Sequence, residues 1–138
     1  MPAVRAAMTP FPHSVDVHRP VSEAARMMAE HDIRHLPVTD QGVPIGVVTE
    51  RAVRFATAGS AQAAARPVGD IVVDAYVVES SVPLDEVAAE MARRHIDSAL
   101  VVKRGRLAGI FTAIDACRYL GELLHAWYGT DGDDDRAA

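Results

Sequence analysis

The side chains of this 138-residue chain best placed to act together lie in Gly109-Ile110-Phe111-Thr112-Ala113-Ile114-Asp115, where a threonine is followed three residues later by a carboxylate. Leu107 to Phe111 is a short apolar run of the kind that forms a buried strand, and Thr112 is a good N-cap for a helix that follows it. Thr112 and Asp115 then share the first helical turn. Two chemistries fit that spacing. One is a capping box, in which the pair does no more than start the helix. The other is a ligand site, because the free N–H groups of a helix N-terminus favour anionic or hydroxyl-rich ligands. Arg34 and His35, just before the apolar Leu36-Pro37-Val38, form a second candidate pair. A guanidinium can grip phosphate bidentately; the structural alternatives are a solvated or ion-paired arginine and a satisfied histidine at a strand start.

Other constellations fall away on spacing. His31 and His35 are four apart, as in helical zinc pairs, but a helix end separates them, so they do not share a face. His13, His18, His95 and His125 have no cysteine or acid cluster at ligand spacing, and no serine or cysteine stands in a recognisable nucleophile elbow. The chain reads as non-enzymatic, with no metal site and no required cofactor.

The elements that must position these residues come in two copies. A shift of 63 aligns residues 20–52 with 83–115 without a gap, and ten of the 33 pairs are identical, among them Pro20/Pro83, Met28/Met91, Gly46/Gly109 and Thr49/Thr112. Val21, Ala24, Ala25 and Met28, and again Leu84, Val87, Ala88 and Met91, follow the i, i+3, i+4, i+7 spacing of an amphipathic helix. Each helix is followed by an apolar run, a turn carrying Gly42 or Gly105, and a second run, which together predict a hairpin. Gly46 and Gly109 inside the second strands imply close backbone approach. Thr49 and Thr112 then open a second helix in each copy.

These elements divide the chain into a first repeat at 1–58, a linker at 59–67, a second repeat at 68–128 and an acidic tail at 129–138 that lacks apolar anchors and is expected to be disordered. Cys117, Leu120, Leu124 and Trp127 prolong the last helix beyond the matching point of copy one, for packing on its own unit or on a partner. Cys117, the single cysteine, falls in that apolar pattern and is expected to be a buried structural thiol, which places the chain in a reducing, cytoplasmic setting. The net charge of −5 includes −3 from residues 131–138, so the body is nearly neutral and lacks the basic stripe that nucleic-acid binding requires. No apolar run approaches the ~18 residues of a membrane span.

With Met8-Thr9-Pro10, Ile33-Arg34-His35-Leu36-Pro37-Val38, Gly46-Val47-Val48-Thr49-Glu50-Arg51 and Gly109 through Asp115 set on a 63-residue repeat, the chain resembles a tandem pair of CBS domains, a Bateman module. The resemblance implies an α/β (α+β) fold of two β-α-β-β-α repeats related by a pseudo-twofold, with sheets packed together, helices outside and two clefts between them. It implies an adenine nucleotide as regulatory ligand. Asp115 would hold the ribose hydroxyls with Thr112 in support, Tyr76, Val77, Ser98 and Ala99 would enclose the base, and Arg34 and His35 would approach the phosphate. It also implies a homodimer and an effector protein that the sequence does not identify. The alternatives it leaves are a ligand-free structural or dimerisation module and S-adenosylmethionine binding.

Copy one departs from this pattern, with Ala52 where copy two has Asp115, whereas copy two has Asp97 and Ser98 where copy one has Arg34 and His35. One competent cleft drawing on both copies is therefore expected. If the acid were needed for capping, Ala52 should weaken copy one, yet the rest of that copy keeps its pattern. The contrast favours the ligand reading of Asp115.

Overall fold

The computed structural model describes residues 1–129, so all of the acidic tail but Gly129 lies outside the described residues. A short 3-10 turn, Val4–Ala6, leads into a two-residue strand β1 (Thr9–Pro10). The first repeat is β2 (Val15–Asp16), α1 (Val21–His31), β3 (His35–Asp40), β4 (Val43–Thr49) and α2 (Glu50–Thr57). One helical turn, α3 (Ala61–Ala64), capped by Ser60, lies within the linker. After a second 3-10 turn, Val68–Asp70, the second repeat follows as β5 (Val77–Glu79), α4 (Leu84–Arg94), β6 (Ser98–Lys103), β7 (Arg106–Thr112) and α5 (Ala113–Tyr128).

The repeats agree in detail because their local signals agree. Val21, Ala24 and Met28 of α1, and Leu84, Val87 and Met91 of α4, are buried against their own sheets as their periodicity requires. Both helices stop at a left-handed residue, Asp32 (φ 52°) and His95 (φ 56°). Both hairpins turn through two residues of positive φ, Gln41-Gly42 and Arg104-Gly105, the primed turn that matches strand twist. Both carry a register shift at the same place, Val38/Thr39 and Val101/Val102. In each half a parallel strand and an antiparallel hairpin make the sheet, ordered β2-β3-β4 in one and β1-β7-β6-β5 in the other.

The segment leading into each repeat crosses to the other one. Thr9 and Pro10 of β1 pair with Ile110 and Gly109 of β7, and Val4 is fully buried in the second core with Val87, Val101 and Phe111. Reciprocally, Val73 bridges Val47 of β4, and Val68 is buried in the first core with Val21, Leu36 and Val48. A sequence repeat and a folded half are thus different sets of residues. The exchange accounts for the two strand glycines. A Cβ on Gly109 would collide with Met8 and the Thr9 carbonyl, and one on Gly46 with Val72 and the Val73 carbonyl.

One expectation is corrected. Cys117 is exposed, not buried. Only Ala116 and Tyr119 of α5 pack partly on the second core, while Ile114, Leu120, Leu124, Trp127 and Tyr128 stand open, Trp127 at 63% and Tyr128 at 61%. Helical periodicity identified an apolar face without saying what covers it.

Candidate functional site

Strand β7 and helix α5 meet at Thr112, and the site is built outward from that junction. The Thr112 hydroxyl accepts from the Asp115 backbone N–H at 3.1 Å, and the Asp115 carboxylate accepts through Oδ2 from the Thr112 backbone N–H at 2.9 Å, so the capping box is complete. The Thr112 hydroxyl also donates to Oδ2, at 3.1 Å. The other carboxylate oxygen faces away from the cap. Asp115 Oδ1 accepts from the Thr9 hydroxyl at 3.0 Å and from Arg118 Nη1 at 2.9 Å. Asp115 is only 5% exposed, and burial of a carboxylate at such a position is sustained by these donors together with the helix N-terminus.

An open cleft of about 630 Å³ lies over this junction. Its wall includes Thr9, Thr112, Asp115 and Arg118 on one side and Arg34 and His35 on the other. The opposite wall arises because β3 begins at His35, directly after the left-handed stop of α1. His35 Nε2 is 3.0 Å from Asp97 Oδ1, an inter-repeat contact between the first residue of β3 and the residue that precedes β6. Arg34 reaches Glu50 at only 3.8 Å, and its side chain is 82% exposed. The floor of the cleft therefore offers a partly liganded carboxylate, and its far wall a nearly unengaged guanidinium.

Four of the eight residues singled out in the sequence, Arg34, His35, Thr112 and Asp115, meet in this cleft. The other four are not part of its wall. Ala99 is 1% exposed within the second core, because the alternation of β6 turns it inward. Ser98 pairs with Thr112 across the hairpin, and Val77 pairs with Leu100. The Tyr76 ring is covered by Arg94, whose guanidinium lies 4.5 Å from the ring centroid; burial, and then the nearby Glu90 carboxylate, raise the Tyr76 phenol above its ordinary pKa.

Thr9 and Arg118, the two side chains that donate to Asp115 Oδ1, were not singled out in the sequence. Arg118 was accessible there, being three residues after Asp115 on one helix. Thr9 was not, since it is 106 residues from Asp115 and arrives only through the crossing of β1. Aligning the halves by strand register rather than by sequence shift sets Thr9 against Val73, Asp115 against Ala52 and Arg118 against Phe55. Asp115 and two of its polar partners, Thr9 and Arg118, are thus replaced by apolar residues in copy one, while Thr112 is kept as Thr49.

A duplicated β-α-β-β-α unit with exchanged lead-in segments and a polar cleft where the repeats meet defines a tandem domain pair. The matched residues identify the family: 4–59 and 68–122 each match the CBS domain, and the chain belongs to the CBS-domain proteins. The CBS domain-containing protein YhcV of Bacillus subtilis is 27% identical over 111 residues, 80% of this chain and 79% of that protein. A crystal structure from Vibrio cholerae described as an acetoin utilization protein, AcuB, superposes with a TM-score of 0.84 at 28% identity, over 94% of this chain and 97% of that one. The structure of CBSX2 in complex with AMP superposes with a TM-score of 0.78 at 25% identity, over 89% and 98%. Three longer relatives, two inosine-5'-monophosphate dehydrogenases and an L-aspartate semialdehyde sulfurtransferase, match over only 19 to 20% of their own length.

No helix among the described residues is long and apolar enough to cross a membrane, and among them no three His, Cys, Asp or Glu side chains gather as a metal site.

Proposed function

We propose that the chain is a regulatory sensor that binds an adenine nucleotide in the Asp115 cleft and passes its occupancy to a partner protein. One observation carries the reading: Asp115 and Thr112 of copy two, Thr9 of the crossing strand, and Arg34 and His35 of copy one line the same cleft. Asp115 Oδ1 is the acceptor for the ribose hydroxyls, which replace the Thr9 hydroxyl and Arg118 as its donors. Oδ2 stays with the cap, so the helix start survives binding. Arg34, held by no close partner, and His35 receive the phosphate. The AMP complex of CBSX2 supports the ligand class. Freed from Oδ1, Thr9 and Arg118 are the groups that change on binding; Thr9 lies on the strand that ties the two halves together, which makes it the natural transmitter.

The test is the thermal midpoint of the full chain with and without AMP, ADP, ATP and S-adenosylmethionine. A ligand at ~100 times its dissociation constant stabilises by about 2.7 kcal/mol. Silence with the whole set would retire the sensor reading in favour of a structural module.

A homodimer accompanies this reading, and the open face of α5 favours it. Ile114, Leu124 and Tyr128 follow a coiled-coil spacing with Cys117 and Gly121 between them, and Leu120 and Trp127 flank the stripe. Gly121 is a mid-helix glycine with nothing within 4 Å of a Cβ placed there. Such a glycine costs about 1 kcal/mol against alanine and nothing in the protomer requires it. A second helix crossing closely at Gly121 would. The open side chains of α5 present on the order of 600 Å², most of the ~800 Å² that one partner contributes to a standard interface. Light scattering at micromolar concentration should give twice the protomer mass, and Leu124→Glu should halve it; a wild-type chain that stays monomeric overturns the assembly but leaves nucleotide binding standing.

A further inference from the structure

We propose that the ligand is a nucleoside polyphosphate whose phosphate chain runs from the Asp115 cleft into a second, arginine-lined cleft beside it. This rests on the adenine-nucleotide reading and extends it to the number of phosphates. The second cleft, about 560 Å³, shares Arg34, His35 and Asp97 with the first, so the two abut along those residues. Its remaining wall comes from the β4–α2 junction: Thr49, Glu50, Arg51 and Arg54.

The chemistry of this second cleft is one-sided. Where copy two has the ribose-binding set Thr9, Asp115 and Arg118, copy one has Val73, Ala52 and Phe55, which offer no side-chain acceptor to a sugar. What it offers is cationic. Arg34 and Arg54 both lean on the single carboxylate of Glu50, Arg34 at 3.8 Å, and Arg51 has no ion-pair partner among the described residues. Asp97, the second acid in the wall, is engaged by His35. Three guanidiniums against two carboxylates, Glu50 and Asp97, leave an excess of positive charge, an anion site in a chain whose net charge is negative. The first cleft differs in kind. Its own copy-two cation, Arg118, stands beside the Asp115 carboxylate on the ribose side, whereas Arg34 and His35 stand at the border with the second cleft, where the phosphate begins. A monophosphate would end at that border; a di- or triphosphate continues past it to Arg51 and Arg54. There the phosphates displace Glu50 as the partner of Arg34 and Arg54, so Glu50 opposes polyphosphate binding.

The experiment is isothermal titration calorimetry of the full chain with AMP, ADP, ATP and inorganic tripolyphosphate at low ionic strength. ATP should bind at least tenfold more tightly than AMP, with ADP between them. Arg51→Ala combined with Arg54→Ala should bring ATP down to the affinity of AMP while AMP stays within about twofold, and Glu50→Gln should tighten ATP more than AMP. AMP binding as tightly as ATP, or a double variant that keeps the full preference for ATP, overturns the polyphosphate path and leaves the nucleotide sensor intact. If none of the nucleotides binds but tripolyphosphate does, and binding is lost in the double variant, the sensor reading fails while the anion site stands; if nothing binds, both fail. Because Arg51 and Arg54 are exposed on α2, an unchanged thermal midpoint of the double variant separates loss of binding from loss of fold.

Discussion

Replacing Asp115 separates the two uses of its carboxylate, because each oxygen serves one of them. Asp115→Ala removes both. Loss of the capping box costs about 1 kcal/mol. Loss of a negative charge at the start of α5 costs a further ~0.3 to 1 kcal/mol. The Arg118 pair adds about half a kcal/mol, since the arginine side chain is 61% exposed and screened. The total is about 2 kcal/mol, which for a chain of this length lowers the thermal midpoint by roughly 6 to 10 °C. Asp115→Asn is milder: its amide oxygen can still accept from the Thr112 N–H while its amino group replaces Oδ1, so about 1 kcal/mol is lost. Toward ligand the two variants should agree. In the Asn variant the amino group faces Arg118 and the ribose hydroxyls in place of an acceptor, so neither variant should show the upward shift that the wild type shows at saturating ATP. Differential scanning fluorimetry over a nucleotide titration reads both quantities in one set of samples. An Asn variant that keeps the full ligand shift refutes the ribose assignment, and an Ala variant as stable as the wild type refutes the cap.

Other outcomes follow from the repeat and the surface charges. Ala52→Asp should complete a capping box with Thr49, whose hydroxyl already accepts from the Ala52 N–H at 3.1 Å, and stabilise by about 0.5 to 1 kcal/mol; calorimetric stoichiometry should stay at one nucleotide per chain, because Val73 and Phe55 still stand where copy two has Thr9 and Arg118. Hydrogen bonds from Arg93, then from Arg94, hold Glu90 at a pKa of about 2, down from an ordinary 4.5. A folded-state pKa depressed in this way contributes stability above about 4.5 that is lost as pH falls toward about 2, so Glu90→Gln should be less stable than the wild type at neutral pH and indistinguishable from it near pH 2 in urea titrations. Gly46→Ala should cost about 1 to 3 kcal/mol, since its Cβ meets the Val73 backbone, whereas Gly121→Ala, with open space around it, should stabilise the isolated protomer while weakening self-association in dilution series.

The sequence carried the fold well because each repeat states its elements locally and the second states them again. Helix faces, hairpin turns and the two close-packed strand glycines were all readable from patterns that span fewer than ten residues. What local pattern could not carry was the exchange of lead-in segments. Val4 and Val68 are small apolar residues with no periodic company, and their burial depends on a crossing that only tertiary register sets. Thr9 was invisible as a site residue for the same reason. Tyr76 and Ala99 went the other way: resemblance placed them beside a base, and packing engages them with Arg94 and the second core.

The two threonine-led helices decide how much of Asp115 is structural. Helix α2 begins on Thr49 alone, with Ala52 in place of the acid, and still forms over Glu50–Thr57. The threonine cap is therefore sufficient for this strand-to-helix junction, and the carboxylate of copy two is an addition to it. Had that addition served the helix only, one oxygen on the Thr112 N–H would have been enough. The second oxygen instead gathers a hydroxyl from the crossing strand and a guanidinium from α5, both at the wall of a cleft, and both are absent from copy one together with the acid. Three residues that vary as a set between otherwise matching repeats favour the proposed reading, in which an acceptor ringed by displaceable donors holds hydroxyl groups.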